Sequence, residues 1–256
     1  MTVRPISLAC VALLLVAGAL FSVRAAAQSP DFPQQFPPGE YHAFKARYGL
    51  ISLGEASMAV LHDDTVRGEL TRHLRLAIRG RIPAVYSIDD QFDSWVSLRD
   101  GLSRRFVQGY DESNQDGRNE YAIWPDSGFY RQSGDAASFR TVAEPLDDTA
   151  FLYWVRTLGL APGDTLRLER YFRPERNPVA IVVLGRDTLD VPAGRFETLV
   201  LHPVIPDGGI LFSEEANSRI WISDDERRIV VQIKATLGKY FTVALVLKEY
   251  VAESGP

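Results

Sequence analysis

The sequence predicts a mainly β protein: a single large curved antiparallel sheet, or half-barrel, with one short helix packed in its concavity. Three stretches carry that expectation. From Val179 to Val251, apolar runs rich in Val, Ile, Phe and Tyr follow one another across short turns of Gly, Pro and Asp, the pattern of a meandering antiparallel sheet. Leu70–Arg79 alternates strictly, with Leu70, Leu74, Leu76 and Ile78 on one side and Thr71, His73, Arg75 and Arg79 on the other; only Arg72 interrupts the apolar side. One stretch breaks the β pattern: Asp147-Asp148-Thr149 offers N-capping oxygens, Ala150–Leu158 has no breaker, and Gly159 stands where a helix ends. Phe151, Leu152, Tyr153, Trp154, Val155 and Leu158 leave that helix almost no polar face, so it has to be buried. A sheet curling around it explains why Val179–Leu184 and Tyr240–Leu247 are apolar on both faces.

In chain order, residues 1–27 read as a secretory signal peptide. Arg4 gives a positive start, Ile6–Phe21 is almost wholly apolar, and Ala25-Ala26-Ala27 supplies a small-residue cleavage site before Gln28. Cys10 is the only cysteine and Ser7 stands where a lipobox wants Leu, so lipidation is not expected and the mature chain carries no disulfide. Residues 28–39 hold four prolines and read as an extended tether. Residues 40–252 read as one β domain, with no second apolar stretch long enough to span a membrane.

Within it, Tyr41–Tyr48 and Glu55–His62 form a first pair around Gly49–Gly54, and Asp63 to Gly68 turns the chain into the Leu70–Arg79 strand. Val85–Val96 is one long strand, Arg99-Asp100-Gly101 a turn, and Arg104–Tyr110 the return. Asp116-Gly117 signals a hairpin before Tyr121–Trp124, and Asp126-Ser127-Gly128 another before Phe129–Arg131. Ser133–Glu144 is small and polar, hence loop. Past the helix, Gly185-Arg186-Asp187, Pro192-Ala193-Gly194, Ser223–Glu226 and Leu237-Gly238-Lys239 are the expected turns between strands.

Five of these segments, Tyr48–Ala56, Val85–Asp90, Asp148–Arg156, Val191–Phe196 and Ile220–Asp225, resemble in order the bacterial envelope family described as domain of unknown function 3108 (DUF3108). The resemblance covers nearly all of the mature chain. It implies an exported, mostly antiparallel β domain, a curved sheet with a helix in its hollow similar to that of periplasmic lipoprotein carriers. It supplies no catalytic residues.

The residues themselves point away from catalysis. There is no Gly-x-Ser-x-Gly elbow, no His-Glu-x-x-His, no phosphate loop and no dinucleotide glycine pattern. His42, His62, His73 and His202 show no ligand spacing, with His73 expected on the wet face of its strand. The oxygen-rich run Asp111–Asn119 fails as a calcium loop, because Ile123 stands where a bidentate Glu is required. Asp89-Asp90 with Asp93, and Asp224-Asp225 with Glu226, could serve glycan hydrolysis, although Arg227 and Arg228 make the second group a charge-balanced turn. The formal net charge is −5, which argues against nucleic acid and against an electrostatic grip on anionic lipid. No cofactor or metal is expected. Aromatics are numerous enough to line an apolar hollow, for which the candidates are Tyr86, Phe92, Phe151, Trp154, Val155, Leu158 and Trp221. The functional expectation is a non-enzymatic periplasmic or secreted protein binding a lipid or lipidated envelope component. The alternatives are an interaction protein of an envelope assembly and, less favoured, a cell-wall glycan hydrolase.

Overall fold

The computed structural model describes residues 32–82, 86–206, 217–237 and 241–252. The expected leader, residues 1–27, lies outside them. Eight strands lead from the N-terminal side: β1 (Tyr41–Tyr48), β2 (Ile51–Val66), β3 (Glu69–Ile82), β4 (Tyr86–Ser97), β5 (Ser103–Glu112), β6 (Gln115–Trp124), β7 (Phe129–Gln132) and β8 (Phe139–Arg140). After the helix α1 (Asp148–Trp154) come β9 (Thr165–Leu168), β10 (Val179–Val191), β11 (Gly194–Val204), β12 (Arg219–Ser223), β13 (Val230–Leu237) and β14 (Phe241–Val251).

All fourteen strands form one antiparallel sheet in the order β8-β7-β6-β5-β4-β3-β2-β1-β14-β13-β12-β11-β10-β9. Two meanders are thus fused at their centre, where Tyr41 on β1 pairs with Val251 on β14. The sheet does not close; β8 and β9 are its two edges. The chain between β8 and β9 must travel from one edge to the other, and it does so through the concavity, carrying α1 with it. The buried core therefore joins the concave residues Phe44, Met58, Leu74, Phe106, Ile181 and Leu245 to the helix residues Phe151 and Trp154. Among the described residues, the curved sheet around a single α-helix is the architecture the sequence implies.

Strands alternate direction, so their turns sort into two ends. Arg67-Gly68, Leu98–Leu102, Pro125–Ser127, Pro192-Ala193 and Asp224–Arg228 lie at one; Gly49-Leu50 and Ser113-Asn114 lie at the other.

Several expectations need correction. The turn expected over Asp63 to Gly68 narrows to Arg67-Gly68, since β2 runs on to Val66. The described part of the tether, residues 32–39, is not extended chain: Phe32 and Phe36 are buried in the core, because their rings close one end of the hollow against Tyr153. The β5–β6 turn is Ser113-Asn114 rather than Asp116-Gly117. Ser113 is tied to β4 by its amide and hydroxyl on Ser87, while Gly117 sits within β6 where Tyr110 crosses it, its hydroxyl 2.5 Å from any added Cβ. Gly185 is not a turn but a bulge in a continuous β10, where the register shifts between Val183 and Gly185. Finally, Phe139-Arg140, inside the expected loop Ser133–Glu144, pairs with β7 as a two-residue edge strand.

Candidate functional site

The plug is built from the residues the sequence singled out as helix. Asp147 caps α1 by accepting from the Ala150 amide at 2.9 Å, and its other oxygen accepts from the hydroxyls of Ser94 (2.6 Å) and Ser103 (2.7 Å). Burial pushes the Asp147 carboxyl up to about 7 even though all three donors favour its ionised form. A turn of 3₁₀ helix, Val155–Thr157, continues α1 to Arg156. Arg156 is wholly buried and grips the Glu40 carboxylate with both terminal nitrogens, at 2.6 and 3.2 Å, while its Nε donates to the Arg228 carbonyl at 2.8 Å. Its guanidinium lies 4.3 Å from the Phe36 ring. The plug thus runs from β4 and β5 across to the start of β1 and the β12–β13 turn, closing one end of the half-barrel.

His42 shares this interior. Its ring is fully buried, packs against Tyr250 at 4.9 Å, and neither nitrogen has a hydrogen-bond partner. Burial first, and the Arg156 charge second, hold its pKa well below the ordinary value.

The seven candidate lining residues part company. Phe151, Trp154, Val155 and Leu158 are all buried, belonging to the plug and its packing. Phe92, on β4, is only partly buried against the core, beside Ile78 on β3 and Leu53 on β2. The Tyr86 side chain lies outside the described residues. Trp221 stands on the opposite face: its neighbours Ile220 and Ile222 enter the core, whereas its indole N–H donates to Asp187 at 3.0 Å and Lys234 lies over its ring. Strand periodicity put Trp221 next to two apolar neighbours and so could not say which face it shared.

At the end away from the plug, the β2–β3 pairing sets Gly54 opposite Gly80. A Cβ on Gly54 would lie 2.1 Å from the Arg79 carbonyl, so the strands approach there only because the side chain is missing. A cleft of about 610 Å³ opens over this bare floor, lined among others by Leu53, Arg79, Ile88 and Asp111. Asp90 lies close by, buried under the amide of Asp111 (3.2 Å); burial pushes its carboxyl up to about 6, helped by the charges of Glu112, Asp89 and Asp111.

A cluster that sequence reasoning missed sits on the convex face. His73 is not wet but buried: its Nε2 meets Asp93 at 2.7 Å and its ring stacks on Trp95 at 4.3 Å, with Arg105 on the same indole at 4.4 Å. Arg75 and Gln91 also donate to Asp93, and these donors outweigh its burial, holding the carboxyl low. The alternation of β3 and β4 was the available signal, since it put His73, Arg75, Gln91, Asp93 and Trp95 on one face. The cluster stitches three strands together. Among the described residues no group of three or more His, Cys, Asp or Glu is arranged to hold a metal ion.

A family model described as protein of unknown function (DUF3108) matches residues 43–239. The chain belongs to this family. No curated protein sequence matches it. Among solved structures, the DUF3108 chain is similar to the beta-barrel-like protein of domain of unknown function DUF1849 from Brucella abortus. The TM-score is 0.50 at 12% identity, over 86% of this chain and 100% of that one, a likeness of fold. It also aligns with a candidate lipoprotein from Parabacteroides distasonis (TM-score 0.34, 10% identity, 84% and 96% covered). A candidate exported protein with a YmcC-like fold from Bacteroides fragilis gives 0.30, 11%, and 84% and 96%.

Proposed function

We propose that this DUF3108 protein is an exported, non-enzymatic β protein that binds an apolar or amphipathic envelope component, a lipid tail or a lipidated chain, in the part of the half-barrel its helix leaves uncovered. The observation that carries the reading is the group Leu53, Ile78 and Phe92, only partly buried although Ala56, Met58, Leu74 and Leu76 on the same strands are fully covered. Small-molecule sites are mainly apolar with few polar anchors, and Asp90, on the same face of β4 as Phe92, is such an anchor. Export is supported by the leader pattern of residues 1–27.

An interaction protein offering a sheet edge finds less support, since β8 and β9 are two and four residues long and present little backbone to a partner. A hydrolase would need two carboxylates free to flank a substrate, and in the cleft Asp89 is held by Arg79 at 2.7 Å.

A fluorescent fatty acyl probe should bind the delipidated protein with micromolar affinity, about 8 kcal/mol. Ten or so methylenes supply that much at about 0.8 kcal/mol each, less the cost of association. Ile78→Glu should weaken the probe at least tenfold while leaving the melting temperature within a few degrees. If the delipidated protein binds no probe and protein from its own envelope carries no lipid, the interaction reading takes its place.

A further inference from the structure

The β1–β2 hairpin ends in a two-residue turn, Gly49-Leu50, between the paired Tyr48 and Ile51. Gly49 has φ +57°, and Leu50 has no positive φ, so the turn is of the kind in which glycine leads and a polar residue ordinarily follows. Here the follower is leucine, 91% exposed, with Ile51 62% and Tyr48 41% exposed beside it. Three of the seven large exposed hydrophobic residues among those described therefore stand within four positions of one turn. Leu50 and Ile51 belong to neither buried apolar cluster.

We propose that this hairpin tip docks the protein on a lipid bilayer, with Leu50 and Ile51 entering the acyl boundary and Tyr48 at headgroup level. Two observations select the bilayer over a protein or a second copy of the chain. A stable protein contact needs about 800 Å² from each partner, which three side chains on one turn do not offer, whereas a bilayer receives apolar side chains one at a time. Arg47, paired with Ser52 at the base of the turn, and the exposed Arg81 on the adjoining β3 form no ion pair among the described residues, although Arg72, Arg75, Arg79, Arg99, Arg104 and Arg105 all do. Among the described residues no carboxylate holds either guanidinium, which leaves both for lipid phosphates. The docking is apolar in origin and weak, in keeping with an acidic chain, and is independent of whether the half-barrel holds a ligand.

The test uses protein purified from the soluble envelope fraction and vesicles of phosphatidylethanolamine and phosphatidylglycerol. The wild type should co-float with the vesicles, and Leu50→Asp should lower the bound fraction at least tenfold. Because Cys10 leaves with the leader, Leu50→Cys is the one thiol of the exported chain, and an environment-sensitive dye on it should brighten and shift to the blue when vesicles are added. The same dye on Leu184→Cys, a half-exposed position on β10, should not respond. Co-flotation unaffected by Leu50→Asp, no co-flotation of the wild type, or equal dye responses at the two positions would each overturn the proposal. Acyl-probe binding measured without vesicles is a separate readout, so failure of docking and failure of ligand binding are told apart.

Discussion

The two ends of the half-barrel are built on opposite terms. At the plugged end, Phe36, Tyr153 and Trp154 are buried together with the Arg156–Glu40 pair and the Asp147 cap, and every turn is charged or held by Pro or Gly. At the far end, Leu50 and Ile51 project from a tight turn and touch none of the buried core. The same residue chemistry does different work in the two places. Apolar side chains on the plug stabilise the fold, and their removal leaves cavities and stranded polar groups. Leu50 and Ile51 on the tip stand outside the buried core and are available to something outside the fold.

The largest expected effect lies at the plugged end. Trp154→Ala should cost roughly 3–5 kcal/mol in urea unfolding, since the indole is surrounded by core and cannot be replaced by solvent without a void. A loss below about 1 kcal/mol would mean the plug is not what holds the two meanders together, and the contrast between the ends would collapse.

Acid sharpens the comparison, with two groups of opposite sign. His42 is held below its ordinary pKa, so under about pH 6.5 the unfolded chain takes up a proton the folded one refuses, and its contribution to stability is lost as pH falls. Asp147 is held up at about 7, so its contribution is full below about pH 4 and is lost as pH rises through 7. Between those limits the slopes oppose each other. His42→Phe keeps the ring packing against Tyr250 and removes the first slope alone. At pH 5 the variant should gain on the wild type by up to about 2 kcal/mol, at 1.36 kcal/mol per pH unit. By pH 7.5 only a pH-independent remainder of the difference should be left; a difference that stays constant from pH 5 to 7.5 would show that His42 takes up its proton as readily in the fold as in the unfolded chain.

The smallest effect is expected at the tip. Leu50→Asp should change stability by no more than about 0.5 kcal/mol, as for other exposed positions without partners. A melting temperature lowered by many degrees would reveal a packing role and remove the distinction between the two ends.

Much of the fold was legible along the chain because strands and turns are local. Leu70–Arg79 reads as β3 from its alternation alone, and Asp147 to Leu158 reads as a capped, buried helix from its composition. The candidate site was legible only in part. Phe92 lies on the wall and Phe151, Trp154, Val155 and Leu158 fill the plug, but Trp221 faces away, because apolar neighbours on both sides erase the period that tells one face from the other. The buried His73–Asp93–Trp95 cluster was hidden for a related reason: alternation assigns a face, not whether neighbouring side chains will cover it.

By itself, then, the sequence determined the β class, the single helix and its burial, since each depends on residues a few positions apart. The tertiary structure decided the pairing of β1 with β14, which fuses two meanders into one open sheet and sends the chain across the hollow. It also decided that Glu40 would meet Arg156 across 116 positions, and that Phe32 and Phe36 would close an end rather than lead to it. Such contacts rest on how a sheet curls and which edges are left free, and no local pattern encodes that.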